Sequence, residues 1–294
     1  MRFSEYLAAQ RQRIETELHG ILPSEATPPE VLHQAMRYSV FAGGKRIRPL
    51  LCVEAARVIS EEVAGIERAA CAVELVHTYS LIHDDLPALD NDDFRRGRLT
   101  CHKVFGEAMA ILAGDALLTL AFEVLANLPC VDSERRARMM GELAAAAGSC
   151  GGMIAGQVAD LEGEGKPPEP GRLETIHRAK TGALIRASVR IGGIYAGADG
   201  EQLAALSSYG EHVGLAFQIV DDLLDVEATS ETLGKTTGKD AARKKITFPA
   251  VYGIQRSHEL AEAERRAARQ ALECFGNRAV RLAELADFIV YRRA

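Results

Sequence analysis

The chain has 294 residues, of which 47% are hydrophobic and 26% charged, and its formal net charge is −6 at pH 7. These values are typical of a globular protein and exclude the disordered and fibrous classes. The negative charge argues against a nucleic-acid partner, which would require a basic surface. The Pro/Gly-rich stretch at 163–171 is too short for a linker, so we expect one domain over residues 1–294.

Cysteine usage and the first residues bear on the cellular compartment. Six cysteines are scattered along the chain without a C-x-x-C pair, which favours reduced thiols over disulfides or a zinc site. The first 20 residues are charged throughout and lack the apolar run of a secretion signal. No stretch reads as apolar and long enough to cross a bilayer. We therefore expect a soluble, cytoplasmic protein with no membrane partner.

Helical patterns extend along almost the whole chain. Ala, Leu, Glu and Arg dominate, and apolar residues recur with a helical rather than a strand period. Several long runs are apolar on all sides, which is typical of helices in the middle of a bundle. In chain order, the runs are residues 65–85, 106–127, 133–161, 173–195 and 199–226. The sequence therefore predicts an all-α fold.

A basic run, AGGKRIRP, precedes the first of these helices. It places Lys45, Arg46 and Arg48 after two glycines, which free the backbone to approach an anion closely. A single basic side chain in such a position is usually only a solvated surface charge.

The first long helix ends in an aspartate cluster, HDDLPALDNDD. On a continuous helix, at about 100° per residue, Asp90 would point away from Asp84. Pro87 is expected to end the helix, so that Asp90 returns from the following loop to the same metal as Asp84 and Asp85. Arg95 and Arg96 follow this cluster directly.

The last long helix carries a second cluster, in which Asp221, Asp222 and Asp225 share one helical face. Either cluster alone could be a solvated helix end, but two acidic groups near a core require a cation or partner. Carboxylate oxygens select a hard divalent ion, and Mg²⁺ shares its ligands between carboxylates and substrate phosphates. The pair of clusters therefore predicts a Mg²⁺ site that binds a diphosphate, with Mn²⁺ as a substitute.

Further polar residues are grouped around the two clusters. His77 lies nearly two turns before Asp84 on about the same helical face. The others are Lys180, Thr181, Gln218, Lys235 and Lys245. Their grouping favours an anion-binding site over a scatter of surface charges.

Together these motifs resemble the trans-type isoprenyl diphosphate synthases over the whole chain from about Phe3. The residues that carry the resemblance are GGKRIRP at 43–49, HTYSLIHDDLPALDNDDFRRGRLTCHKVFGE at 77–107, AGDALL at 113–118, Gln157, KTGAL at 180–184, FQIVDDLLD at 217–225 and the later lysines. The resemblance implies an isoprenoid synthase-type helical bundle around a deep central cavity, working as a homodimer. It also implies Mg²⁺-dependent condensation of isopentenyl diphosphate with dimethylallyl or geranyl diphosphate.

The resemblance implies three groups of site residues. The catalytic and metal-binding carboxylates would be Asp84, Asp85, Asp90, Asp221, Asp222 and Asp225. Isopentenyl diphosphate would be bound by Lys45, Arg48, His77 and Arg96. The allylic diphosphate would be bound by Arg95, Lys180, Thr181, Gln218, Lys235 and Lys245, with Lys180 also counted as catalytic. No nucleophilic side chain is needed, since the allylic bond ionises once its diphosphate is neutralised.

Two other functions are weighed against a synthase. A terpene cyclase shares the scaffold and the ionisation site but needs no second diphosphate pocket, so Lys45, Arg48 and Arg96 speak against it. A non-catalytic synthase subunit typically lacks one or more aspartates, whereas both clusters are complete here.

Product length depends on the residues about a turn before the first cluster. Tyr79 and Ser80 are the fifth and fourth residues before Asp84, at a depth of roughly 6 to 8 Å along a helix. Short-chain synthases that resemble this chain carry an aromatic residue at the position of Tyr79, which predicts farnesyl diphosphate as the product. Bacterial farnesyl synthases usually have Asp at the position of Asn91, and an Asn there resembles the geranylgeranyl synthases. Geranylgeranyl diphosphate is therefore the alternative product. Helical periodicity does not itself show that Tyr79 faces the cavity, because it is offset by about 140° from Asp84.

Overall fold

The computed structural model describes residues 2–129, 131–167, 169–227 and 246–292. The α-helices are α1 (Phe3–Ile21), α2 (Glu30–Val40), α3 (Ile47–Ile59), α4 (Ile66–Asp84), α5 (Cys101–Phe105), α6 (Glu107–Ala126), α7 (Ser133–Ala147), α8 (Met153–Gly163), α9 (Pro170–His177), α10 (Ala183–Ala196), α11 (Gly200–Glu227), α12 (Phe248–Tyr252), α13 (Ile254–Ala271) and α14 (Val280–Tyr291). A two-residue hairpin, β1 (Phe94–Arg95) and β2 (Arg98–Leu99), follows the first aspartate cluster. The all-α prediction is confirmed.

Three helices, α3, α4 and α10, form the centre of the bundle. Buried side chains occur on nearly every side of each. The apolar runs in the sequence predicted this for α4 and α10 but did not include α3. α10 packs against α3, α7 and α11, while α4 packs against α6, α3 and α1. A Cβ atom on Gly192 of α10 would lie 2.1 Å from the carbonyl oxygen of Cys52, so glycine is required for this close approach of α10 and α3.

Two of the predicted helical runs are interrupted. The prediction of one helix over residues 133–161 is wrong, because α7 ends at Ala147 and α8 begins at Met153. Gly151 between them has a φ of 74°, a left-handed conformation that glycine adopts readily. The run at 173–195 contains a π-helical segment, Arg178–Gly182, between α9 and α10. Such segments often occur at functional sites, and this one carries Lys180 and Thr181.

The helix α6 differs from the sequence expectation about membrane spans. By length and composition it is apolar enough to cross a bilayer, whereas no segment was expected to be. Its Ala110, Ala113, Leu117 and Ala121 side chains are buried, and the helix packs against α4 and α2. One face of α6 therefore belongs to the core of the bundle.

Candidate active site

A central cavity of about 640 Å³ brings the two aspartate clusters to one place. Asp84 lines it from the end of α4, and Asp221 lines it from α11. The π-helical segment contributes Lys180 and Thr181. Leu89, Leu118, Met153, Ile154, Val158 and Leu161 supply apolar lining. The cavity is therefore polar beside the aspartates and apolar beyond them.

A second cavity of about 600 Å³ adjoins the first. The two share the lining residues Arg48, His77, Arg95, Arg96, Phe217 and Asp221. The second cavity is also lined by Lys45 from the loop before α3, by Asp225, and by Arg292. The site thus has two compartments that meet at a boundary of mainly basic side chains, as two diphosphate substrates would require.

The loop after α4 folds back on the helix end, as the sequence predicted. The Asp90 N–H donates to the Asp84 carbonyl oxygen at 2.7 Å, and the Asp92 N–H donates to the Asp85 carbonyl oxygen at 3.1 Å. The Asp85 side chain is buried and accepts hydrogen bonds from Arg95 Nε and Nη2, the latter at 2.7 Å. Burial raises the pKa of Asp85, and Arg95 opposes that shift. Asp85 therefore binds and orients Arg95 in this structure, while Asp84 lines the cavity.

The second cluster divides its carboxylates in a similar way. Asp222 is 3% exposed and accepts hydrogen bonds from Gln218 Nε2 at 2.7 Å and from the Phe248 backbone N–H at 2.9 Å. Thr181 Oγ1 donates to Gln218 Oε1 at 2.8 Å, which connects the π-helical segment to Asp222. The Asp221 side chain, by contrast, is 45% exposed. Asp221 is thus the more accessible member of the pair.

The donor set fits a hard divalent cation. Asp84, Asp90, Asp221 and Asp225 offer only carboxylate oxygens, which suit Mg²⁺ or Mn²⁺. Over the described residues, no group of three or more His, Cys, Asp or Glu side chains forms a metal site by itself. A cation between the clusters would therefore need further ligands beyond these described carboxylates, and Mg²⁺ commonly takes such ligands from water and substrate phosphates.

Arg48 and His77 form the buried part of the basic boundary. Arg48 Nη1 lies 3.3 Å from His77 Nε2, and Arg48 Nε is buried without a partner. Burial lowers the pKa of Arg48 to about 10, so the guanidinium stays charged at neutral pH. The pKa of His77 lies well below its usual 6.5, mainly because the ring is buried and also because the charges of Arg48 and Arg96 repel a proton. A neutral His77 accepts the hydrogen bond from Arg48, and the unpartnered Nε favours an incoming anion.

The basic loop before α3 is held by Arg46, which the sequence placed beside the binding residues. Arg46 has a left-handed φ of 52°, and its buried guanidinium donates to Glu15, Glu74 and the Val40 carbonyl oxygen. A Cβ on Gly44 would lie 2.7 Å from Arg96 Nη1, so this glycine leaves room for Arg96 rather than only for an anion. Arg46 anchors the loop through these bonds, and it lines the second cavity together with Lys45 and Arg48.

Lys180 contacts a carboxylate that sequence reasoning missed. Its Nζ donates to Asp160 Oδ2 at 2.7 Å. Asp160 lies in the GQVADLEGE segment, where only Gln157 had been noted. Phe217 and Arg292 were also missed as site residues, although Phe217 lay inside a recognised motif. The predicted site residues Lys235 and Lys245 lie outside the described residues.

Tyr79 and Ser80 both line the central cavity. The Tyr79 ring is 5% exposed and meets the His83 ring edge-to-face, with the ring centroids 5.6 Å apart. Its hydroxyl is buried without a hydrogen-bond partner, while the Ser80 hydroxyl donates to the His77 carbonyl oxygen at 2.8 Å. Asn91 adopts a left-handed φ of 47°, a conformation that asparagine tolerates well. Backbone geometry therefore accounts for Asn91 without reference to product length.

Comparisons with known proteins give one consistent family. A sequence model of the family described as Polyprenyl synthetase matches residues 29–283. Farnesyl diphosphate synthase of Geobacillus stearothermophilus is 48% identical over 260 residues, which cover 87% of this chain and 86% of that protein. The chloroplastic geranylgeranyl pyrophosphate synthase of Catharanthus roseus is 49% identical over 295 residues, which cover 99% of this chain and 81% of that protein.

The fold comparison agrees with the sequence comparison. The solved structure of a geranyltransferase from Helicobacter pylori, complexed with magnesium and isoprenyl diphosphate, matches with a TM-score of 0.84 and 32% identity. The match covers 99% of this chain and 97% of that one. The similar proteins thus include synthases named for two different product lengths.

Proposed function

This chain belongs to the polyprenyl synthetase family, as a chain-elongating prenyltransferase, and we propose that its main product is farnesyl diphosphate. The substrates are isopentenyl diphosphate with dimethylallyl and then geranyl diphosphate. The observation that carries the product length is the buried Tyr79 ring, which lines the central cavity near Asp84. Geranylgeranyl diphosphate is the second candidate, because a relative at 49% identity is named for that product.

The carboxylates divide into ligands and positioning groups. Asp84 and Asp90 on one side, and Asp221 with Asp225 on the other, would hold Mg²⁺ or Mn²⁺. Such an ion would supply Lewis-acid neutralisation of the departing diphosphate. Asp85 orients Arg95, and Asp222 orients Gln218 and the segment that begins at Phe248.

The remaining residues separate the two substrates and exclude water. Lys180, Thr181 and Arg95 bind the allylic diphosphate in the central cavity, while Lys45, Arg48 and Arg96 bind isopentenyl diphosphate in the second cavity. When the allylic C–O bond breaks, its electron pair leaves with the diphosphate, and the apolar lining shields the allylic cation from water. The isopentenyl double bond then forms the new C–C bond, and the released diphosphate accepts the proton that is lost.

A product assay on the wild-type protein and on two Tyr79 variants tests this proposal. Purified protein supplied with dimethylallyl and isopentenyl diphosphates should yield mainly the fifteen-carbon product, identified by chromatography of the dephosphorylated alcohols. Tyr79→Ala should lengthen the products, because it removes the ring that limits the depth of the cavity. Tyr79→Phe is the matched control: it keeps the ring and removes only the unpartnered hydroxyl, so it should leave the products unchanged.

Two results would contradict the farnesyl assignment. One is a mainly twenty-carbon product from the wild-type protein, which would support the geranylgeranyl alternative. The other is an unchanged product distribution in Tyr79→Ala, which would show that another wall of the cavity limits the chain.

The second cavity and the complete clusters bear on the other enzyme functions. A terpene cyclase needs no second basic compartment, and a non-catalytic subunit needs no complete set of aspartates. We therefore favour chain elongation over both.

We further propose that the protein is a cytoplasmic homodimer. Large apolar side chains, Ile111 and Leu112, are exposed on α6, and Val104 is exposed on the neighbouring α5. Such exposed apolar side chains are typical of contact surfaces between subunits. In light scattering, the wild-type protein should have the mass of a dimer, and the Leu112→Glu variant should have the mass of a monomer. A wild-type protein that is monomeric would contradict the proposal.

A further inference from the structure

We propose that Arg292 occupies the place of a cation at Asp221 when no metal is bound, and that a divalent ion must displace it. Arg292 is a positioning residue in this account, since it acts through Asp221. The inference rests on the proposed function only in taking Asp221 as a metal ligand. It concerns a residue that lies 71 positions further along the chain than the carboxylate it contacts.

The contact itself is direct. Arg292 Nη2 donates to Asp221 Oδ1 at 2.5 Å and to the Phe217 carbonyl oxygen at 3.2 Å. Within the described ranges, Asp221 is the one carboxylate at ion-pair distance from Arg292. The guanidinium thus neutralises the accessible aspartate of the second cluster.

The Arg292 side chain is also buried and packed against an aromatic ring. It is 2% exposed, and its Cζ lies 4.0 Å from the centroid of the Phe217 ring. Arg48 lies over the same ring, with its Cζ 5.7 Å from the centroid. A buried guanidinium packed on an aromatic ring, with a buried and unpartnered Nε, differs from a solvent-exposed arginine that happens to meet an aspartate.

The charges around Asp221 explain why the contact matters. Lys45, Arg48 and Arg292 all line the second cavity with Asp221. Lys45 and Arg48 are attracted by Asp221 and repelled by Arg292. A divalent ion that approaches Asp221 meets Arg292 already in place, so it competes with the guanidinium for the carboxylate and must displace it. Metal binding at Asp221 and release of Arg292 are therefore linked, and each opposes the other.

The size of the effect follows from the exposure of the pair. Asp221 is 45% exposed, so solvent screens its attraction to Arg292. A partly screened ion pair of this kind should weaken metal binding by roughly two- to fivefold. Removing the charge of Arg292 should strengthen binding by the same factor.

The experiment measures Mn²⁺ binding without substrate, by the electron paramagnetic resonance signal of the free ion. Arg292→Met keeps an apolar stem over Phe217 and removes the charge, so it should bind Mn²⁺ roughly two- to fivefold more tightly than the wild type. Arg292→Lys restores a charge and should return the affinity towards the wild-type value. Arg281→Met is the matched control, since Arg281 on α14 also combines an ion pair, to Glu284, with a position over an aromatic ring, that of Tyr6. Its Mn²⁺ affinity should be unchanged.

A second measurement does not depend on the folding of Arg292→Met. In chelator, Asp221→Asn should lower the melting temperature, because it leaves a buried guanidinium without its carboxylate. Glu284→Gln, which breaks the ion pair of the more exposed Arg281, should leave the melting temperature unchanged. The proposal is overturned if Arg292→Met binds Mn²⁺ no more tightly than the wild type, or if Asp221→Asn melts at the wild-type temperature in chelator.

These readouts involve no turnover, so they separate this proposal from the proposed function. Tighter Mn²⁺ binding in Arg292→Met together with no prenyl transfer would support the role of Arg292 and reject the function. Farnesyl synthesis together with unchanged Mn²⁺ binding would do the reverse.

Discussion

Each aspartate cluster contributes an adjacent pair and one later aspartate to the proposed site, but the two clusters are stabilised by different contacts. The cluster at the end of α4 is organised by its own neighbourhood: Asp85 is paired with Arg95, ten residues further on, and the loop returns through a bond from Asp90 to Asp84. The cluster on α11 depends on distant segments, since Phe248 contacts Asp222 and Arg292 contacts Asp221. The first cluster is therefore a local structure, and the second is a product of tertiary packing.

The comparison also shows a shared division of labour. In each cluster the second aspartate of the pair is almost fully buried and bonded to protein donors, while the first lines the cavity. A buried carboxylate with good donors fixes the geometry of its surroundings. The first aspartate of each pair lies at the cavity surface, where a cation and substrate would bind.

The largest expected effect comes from removing the accessible aspartate of either cluster. Asp84→Ala or Asp221→Ala should each reduce kcat by orders of magnitude, about 10³-fold, and leave circular dichroism unchanged. Both sides must contribute if one diphosphate is bound between them. If either variant retained near-wild-type turnover in steady-state assays, the clusters would not act together.

The next largest effect distinguishes the compartments that lie beside the clusters. Lys45→Ala should raise the apparent KM for isopentenyl diphosphate by about tenfold or more, with little change in the KM for the allylic substrate. Lys45 lines the second cavity and not the central one. Equal increases in the two KM values would show that the assignment of substrates to cavities is wrong.

A smaller effect concerns the buried aspartates. Asp222→Asn should lower the free energy of unfolding by about 1–3 kcal/mol, because an amide cannot accept both of the hydrogen bonds that Asp222 receives from Gln218 and Phe248 with the same strength. Asp85→Asn should cost less, since Arg95 is 30% exposed and can be rehydrated. Urea unfolding of the two variants measures the difference. A larger loss of unfolding free energy in Asp85→Asn than in Asp222→Asn would contradict the view that the second cluster depends more on tertiary packing than the first.

The smallest effect is a pH dependence from His77 on the same helix as the first cluster. Its pKa in the folded protein lies well below 6.5, because of burial and the neighbouring arginines. Below pH 6.5 the unfolded chain therefore binds a proton that the folded protein does not, so stability falls as pH decreases. The slope from this group is at most about 1.4 kcal/mol per pH unit. In urea unfolding between pH 6.5 and 5, His77→Gln should remove this contribution to the slope of unfolding free energy against pH. If the variant keeps the wild-type slope, other groups cause the pH dependence.

The same contrast explains what the sequence could and could not predict. The return of Asp90 followed from Pro87 and helical geometry, because cause and effect lie within a few residues. The break between α7 and α8 was missed, although the glycines at 148, 151 and 152 signalled it. The contact of Arg292 with Asp221 joins residues 71 positions apart, and no local pattern predicts such a pair. The single-domain prediction stays a prediction.

Metal dependence tests the central claim most directly, since both clusters are proposed to act through divalent ions on one diphosphate. The measurement is the initial rate of prenyl transfer from dimethylallyl diphosphate to isopentenyl diphosphate, first in excess chelator and then as Mg²⁺ is added back. The account predicts no detectable product in chelator and full recovery with Mg²⁺, because the aspartates alone would repel the diphosphate. A wild-type rate in excess chelator would contradict it.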